Sequence, residues 1–147
     1  MYLNNLSLKE KELFLELADF FAKADEKVLE SEQMLISAFR KEMNLSEDMY
    51  HTKDLSFSEI LSGFSESSKA TQKSVFIEAI AVAIVDEDIH IKEMEYLEIL
   101  RENFKIQKND FQKVLKLISE MNDIYKSLDR FILDGVQIIN ASNIEEA

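Results

Sequence analysis

Two short acidic segments follow the same pattern, DEKVLESE at residues 25–32 and DEDIHIKE at residues 86–93. Each begins with Asp-Glu, has a β-branched residue at its fourth position (Val28 or Ile89) and ends with Glu at its eighth. An Ala-rich stretch precedes each segment, and an amphipathic stretch follows it. A charged segment between two stretches of helical periodicity is typical of a helix–loop–helix unit. The sequence therefore predicts that such a unit occurs twice.

The repeat extends well beyond the acidic segments. A shift of 61 positions superposes residues 14–50 on residues 75–111 without a gap. Two amphipathic hairpins of this kind are expected to bury their apolar faces against each other, because neither can hide its own stripe alone. We therefore expect an all-α bundle of about six or seven helices with pseudo-two-fold symmetry, as a single domain over residues 1–147. The identical pairs are Ala18/Ala79, Ala22/Ala83, Asp25/Asp86, Glu26/Glu87, Glu32/Glu93 and Arg40/Arg101.

Apolar residues at helical spacing predict the positions of the helices. Capping-box patterns at Ser7–Glu10 and Ser56–Glu59 mark two helix starts. The segment at 70–85 is apolar almost all round in its second half, which is typical of the central helix of a bundle. Helices are expected over about 7–25, 31–43, 55–60, 70–85 and 92–104, and a further one from Asn109.

The last predicted helix carries a heptad pattern. Its apolar residues alternate steps of three and four, the spacing of a coiled-coil seam. Gly135 is expected to end this helix. For the tail at 136–147 two outcomes fit, a frayed end or apolar residues packed against the bundle. The seam residues are Phe111, Val114, Ile118, Met121, Tyr125, Leu128 and Ile132.

Composition and charge exclude several classes of protein. With 46% hydrophobic residues, no Pro and two Gly, the chain is typical of a globular helical protein. The 29 Asp and Glu outweigh 17 Lys and Arg, and the net charge of −12 argues against nucleic-acid binding. The longest wholly apolar run covers only residues 79–85, so we expect no membrane insertion. No Cys is present and no secretion signal opens the chain, which fits the cytoplasm.

The paired motif resembles the tellurite-resistance TerB-like domains. The matching residues are Ala-Asp-x-x-Val-x-x-x-Glu at 24–32 and Asp-x-x-Ile-x-x-x-Glu at 86–93, and the resemblance covers about residues 7–134. It implies a compact helical bundle in which the acidic loops of both halves gather and bind a divalent cation. It also implies a bacterial, stress-associated protein. The chain departs from the family at Glu26 and Glu87, where Gly is usual.

Five carboxylates form the candidate metal site. In this interpretation Asp25, Glu32, Asp86 and Glu93 surround one cation, and Asp88 supplies a further oxygen. Hard cations such as Ca²⁺ or Mg²⁺ prefer such ligands. The alternative requires no metal, because Glu in a first helical turn accepts backbone N–H groups and Asp commonly stabilises its own turn.

Other chemistry has little support in the sequence. The segment from Asp86 is not an EF-hand loop, because Ile91 replaces the required Gly and Leu97 the required Glu. His90 is interpreted as a polar loop residue. No phosphate-binding loop, nucleophile elbow or Cys nucleophile is present, so we expect no enzyme. Two functions remain as hypotheses: a module that holds a divalent cation, and a protein-interaction scaffold that docks a partner through its acidic surface or an exposed seam.

Overall fold

A computed structural model describes residues 1–24, 30–84, 89 and 91–141, and only the main chain at 30–32 and 135–141. Its described residues form helices and contain no strand, which confirms the predicted all-α class. A short 3₁₀ helix at Leu3–Asn5 precedes the α-helices. These are α1 (Leu8–Ala24), α2 (Glu30–Met43), α3 (Phe57–Gly63), α4 (Lys69–Ala83), α5 (Ile91–Asn103) and α6 (Lys108–Ala141).

Serine side chains cap three of these helices at their N-termini. Both predicted capping boxes form: the Glu10 amide donates to Ser7 Oγ at 3.2 Å, and the Glu59 amide donates to Ser56 Oγ at 3.1 Å. Ser68 accepts from the amide of Thr71 in the same way at the start of α4. These bonds satisfy amides that have no partner inside their helix, so they fix where each helix begins.

Helix α4 is the central element of the core. It packs against α1, α5 and α6, and Val75, Phe76 and Ile80 are almost completely buried. The prediction from its all-round apolar sequence is confirmed. A second cluster joins α1, α3 and α5, where the ring of Phe20 stacks on Phe57 at 5.0 Å and meets Tyr96 edge-on at 4.7 Å.

Helix α6 departs from the prediction in two ways. Gly135 does not end it, because the helical main chain continues to Ala141. A single helical Gly costs only about 1 kcal/mol relative to Ala, and one such residue does not break a long helix. The heptad seam is also used unevenly, since Phe111 and Ile118 are buried whereas Leu128 and Ile132 are exposed. Among the described residues, no helix has the length and apolarity that crossing a membrane would require.

The ends of α2 and α5 have the same local geometry. Each is followed by one residue in the left-handed region, Asn44 with φ 54° and Lys105 with φ 57°. The next amide donates back five residues, from Leu45 to the Arg40 carbonyl at 2.9 Å and from Ile106 to the Arg101 carbonyl at 3.0 Å. This 6→1 bond is the C-terminal cap in which a left-handed residue ends the helix.

Candidate functional site

The five predicted metal ligands lie mostly outside the described residues. Asp25, Asp86 and Asp88 belong to the segments that the structure does not describe. Glu32 lies in the first turn of α2, where only the main chain is described. Their grouping around one cation therefore stays a prediction, and His90 likewise lies outside the described residues.

Glu93 is the one predicted ligand whose side chain is described. It lies in the first turn of α5 and is 3% exposed. A carboxylate removed from water to this degree requires hydrogen-bond donors or a positive charge nearby. The first turn of a helix supplies a favourable dipole there. Burial of Glu93 therefore fits both interpretations, the metal ligand and the structural carboxylate.

A cavity of about 480 Å³ lies beside the start of the first acidic segment and the end of the second. Ala24, the residue before Asp25, lines this cavity, and so does Lys92, the residue before Glu93. Phe20 and Tyr96 form its apolar wall. The residue that precedes the first acidic segment and a residue near the end of the second thus border the same cavity.

Three charged residues on the wall of this cavity, Asp19, Lys23 and Asp54, form ion pairs with one another. Lys23 Nζ lies 2.7 Å from Asp54 Oδ1 and 2.9 Å from Asp19 Oδ2. The hydrogen bond with Asp54, followed by the one with Asp19, raises the pKa of Lys23 above its usual range. One lysine therefore pairs with two aspartates, and this part of the wall keeps a net charge of −1.

Glu16 is a buried carboxylate that the sequence analysis missed. It is 2% exposed on α1, and its carboxylate accepts from the Tyr50 hydroxyl, the Lys53 amide (2.7 Å) and the Leu55 amide (3.3 Å). One side chain thereby holds the irregular segment between α2 and α3. Burial, together with the hydrogen bond to Glu16, raises the pKa of Tyr50 above its usual range. The sequence signal that could have identified this residue is a single Glu within the otherwise apolar run at 13–18.

A second pair of acidic residues holds the N-terminus. The Met1 ammonium lies 2.8 Å from Glu78 Oε2 and 2.9 Å from Glu42 Oε1. The Tyr2 amide also donates to Glu78, at 2.7 Å. Desolvation lowers the pKa of the Met1 ammonium, but the hydrogen bonds and charges of Glu78 and Glu42 outweigh it, and the pKa is raised overall. Glu78 and Glu42 therefore fasten the first residues to α4 and α2.

Helix α6 carries a concentration of exposed apolar side chains. Seven large apolar side chains there are each more than half exposed, from 53% at Leu128 to 79% at Phe131. Contiguous apolar patches beyond a few hundred Å² are uncommon on monomeric proteins and usually mark an interaction site. Six of them project to the same side of the helix, and we refer to these six as the exposed α6 face. They are Leu117, Ile124, Tyr125, Leu128, Phe131 and Ile132.

Comparison with known proteins gives no family assignment. No protein-family model, no curated protein and no solved structure shows a significant match to the chain. Nor does the described part of the chain bring three or more His, Asp or Glu side chains into a group that could hold a metal ion. The resemblance to TerB-like domains accordingly stays a prediction.

Proposed function

We propose that this chain is a non-enzymatic protein-interaction module and that the exposed α6 face is its docking surface. The observation that carries the proposal is that the apolar residues of the heptad seam on α6 change from buried to exposed along the helix. Phe111 and Ile118 fill the core, whereas Leu128, Phe131 and Ile132 face solvent on the same helix. A long amphipathic helix with a free apolar face is the element that pairs with another helix or fills a groove.

A photo-crosslinking experiment tests this function. A benzoylphenylalanine placed at Phe131 in the full chain should yield covalent adducts with a protein partner in living cells, because a docked surface lies within reach of the probe. The same probe at Met49 is the control, since Met49 is also an exposed apolar residue (61%) but lies in a turn far along the chain from α6. Equal or absent adducts at the two positions would reject the exposed α6 face as a docking surface.

A second function follows from the acidic segments. We propose that Asp25, Glu32, Asp86, Asp88 and Glu93 hold a divalent cation, Ca²⁺ or Mg²⁺, in a cytoplasmic, stress-associated TerB-like module. Two observations support it. Ala24, the residue before the first segment, and Lys92, within the second, line one cavity. The starts of α1 and α4 are also adjacent, since Ser67 Oγ donates to Glu10 Oε2 at 2.7 Å. Helices that start together and pack together carry their C-terminal loops toward the same end of the molecule.

Calorimetric titration tests the cation site. Wild-type protein should bind Ca²⁺ or Mg²⁺ and gain thermal stability, since binding to the folded state alone stabilises it. The double change Asp25→Asn and Asp86→Asn should abolish both effects, whereas Glu47→Gln, an exposed carboxylate elsewhere, should retain them. Wild-type protein that gives neither heat nor a melting shift would remove the proposal.

We further propose that the two helix–loop–helix units are copies related by a pseudo-two-fold axis. The helix starts support this, because α1 and α4 begin 61 positions apart at residues 8 and 69, as do α2 and α5 at residues 30 and 91. The surroundings of one pair of positions support it as well. Phe20 meets Tyr96 across the units, and their counterparts 61 positions away, Ala81 and Leu35, both line a groove between α2, α4 and α6. A two-fold relation places equivalent residues in equivalent surroundings.

A further inference from the structure

We propose that the occupant of the exposed α6 face is the same face of a second copy of this chain, with the two α6 helices antiparallel. The inference rests on the proposed interaction function and deepens it by naming the partner. Three features of the molecule carry it: the charge balance of α6, the area of its apolar face and the residues that flank its seam.

The charge balance of α6 favours it as an element through which two copies can meet. The chain has a net charge of −12, yet α6 contains five basic and five acidic residues and has none. The remaining residues therefore carry 12 basic against 24 acidic side chains, which is the whole of the −12. Two copies repel each other wherever their acidic surfaces face one another. A basic partner would be expected to seek that acidic surface instead of a neutral helix.

The area of the face matches one half of a stable dimer. Its six side chains, each more than half exposed, offer on the order of 700 Å², which is close to what one partner contributes to a standard interface. Interfaces of this size reach micromolar affinity or better when their apolar anchors are well packed. Leu128 and Phe131 are 53% and 79% exposed, so much of each side chain is available as an anchor of that kind.

The flanks of the seam determine the direction of pairing. In the heptad that contains Tyr125 and Leu128, Ile124 and Phe131 occupy one flank, and Asn122 and Asp129 occupy the other. The flank of Asn122 and Asp129 lines a groove that α6 forms with α2 and α4 of its own chain, so the flank of Ile124 and Phe131 is the one open to a second copy. In a parallel pair, opposite flanks meet, and Ile124 would lie beside Asp129 of the other chain. In an antiparallel pair, like flanks meet, and Ile124 packs beside Phe131 of the other chain, which matches apolar with apolar.

Cysteine cross-linking of the full chain tests this arrangement, since the chain has no Cys of its own. We expect an equimolar mixture of Ile124→Cys and Phe131→Cys chains to form a disulfide-linked dimer under mild oxidation. Chains that carry Ile132→Cys alone should not cross-link, because the two copies of this position lie far apart in an antiparallel pair. All three positions are exposed, and circular dichroism would verify that each variant folds.

The other outcomes overturn the inference in distinguishable ways. Cross-linking of Ile132→Cys chains alone would mean a parallel pair and contradict the antiparallel arrangement. No cross-link from any variant at about 100 µM chain, well above a micromolar dissociation constant, would mean that the face does not bind its own copy. In that case adducts of a different protein at residue 131 would still support the interaction function, whereas their absence would reject both.

Discussion

Arg40 and Arg101 stand 61 positions apart, and each uses its Nη1 to hold the carbonyl of the residue five positions ahead. The distances are 3.2 Å from Arg40 to the Leu45 carbonyl and 2.8 Å from Arg101 to the Ile106 carbonyl. Both carbonyls follow the left-handed residue that ends a helix. The guanidinium groups therefore complete the C-terminal caps of α2 and α5, and their charge suits the negative end of each helix dipole.

Removal of either arginine should destabilise the fold by a similar amount. We expect Arg40→Leu and Arg101→Leu each to lower the free energy of unfolding by about 1–2 kcal/mol, because a charged hydrogen bond to a carbonyl is lost. Urea denaturation of each variant and of the wild type would measure the change in the free energy of unfolding. Arg130→Leu is the matched control, since Arg130 is exposed on α6, and should change stability by no more than about 0.5 kcal/mol. A large loss from one cap and none from the other would contradict the equivalence of the two helix ends.

Glu16 should be the most sensitive acidic residue among those described here. Glu16→Gln replaces one acceptor oxygen with an amide donor that faces the donors of Tyr50, Lys53 and Leu55. We expect a loss of about 2–3 kcal/mol in the free energy of unfolding, because buried donors are left without an acceptor. Glu47→Gln, on an exposed turn, should have almost no effect. Similar melting temperatures for the two variants would show that Glu16 does not hold the loop.

Because the Tyr50 hydroxyl donates to the buried carboxylate of Glu16, we expect the protein to lose stability in alkaline solution. Its folded pKa lies above the ordinary value of 10.0, because burial and Glu16 disfavour the phenolate. Because the pKa of Tyr50 is raised in the folded state, the contribution of its hydroxyl to stability is complete below pH 10. This contribution disappears as the pH rises from 10 toward the pKa of the folded state. The difference between the ultraviolet titrations of wild type and Tyr50→Phe should show a phenol that ionises above pH 10. A midpoint at or below 10 would contradict the buried hydrogen bond.

The ion pairs of the N-terminal ammonium lead us to expect a second pH dependence of stability, at lower pH than that of Tyr50. Contacts with Glu78 and Glu42 raise its folded pKa above the ordinary value of 8.0. Its contribution to stability is therefore complete below pH 8 and is lost as the pH rises through the folded pKa. Thermal melts of a chain with a free Met1 should show this decline. Glu78→Gln should weaken it, whereas Glu66→Gln, on an exposed turn, should preserve it, and an unchanged decline in Glu78→Gln would contradict the contact.

Much of the fold was predictable because local signals agree with the packing. Serine caps at Ser7 and Ser56 and the apolar stripes place α1 to α5 within a residue or two at most ends. The end of α6 was not predictable from Gly135, since the helical signal on both sides outweighs one residue. Glu16 was missed because its partners, Tyr50, Lys53 and Leu55, are more than 30 positions away, and no local pattern reports such contacts.

The candidate sites, like the fold, were predictable in part from the sequence. The heptad pattern identified the apolar seam of α6, but only the packing distinguishes its buried part, Phe111 and Ile118, from the free part that includes Leu128. The periodicity of a sequence predicts which side of a helix is apolar, but it does not predict whether another part of the protein packs against that side. The acidic residues Asp25, Asp86 and Asp88 remain a sequence prediction, since they lie outside the described residues.

Molar mass in solution tests the pairing of α6 most directly. Light scattering behind size-exclusion chromatography should give twice the 17.1 kDa of one chain at about 100 µM and a fall toward 17.1 kDa on dilution. The double change Ile124→Asp and Phe131→Asp should give 17.1 kDa throughout, because charges replace two exposed anchors, whereas Met49→Asp should leave the mass unchanged. A wild-type mass of 17.1 kDa at every concentration would contradict the account.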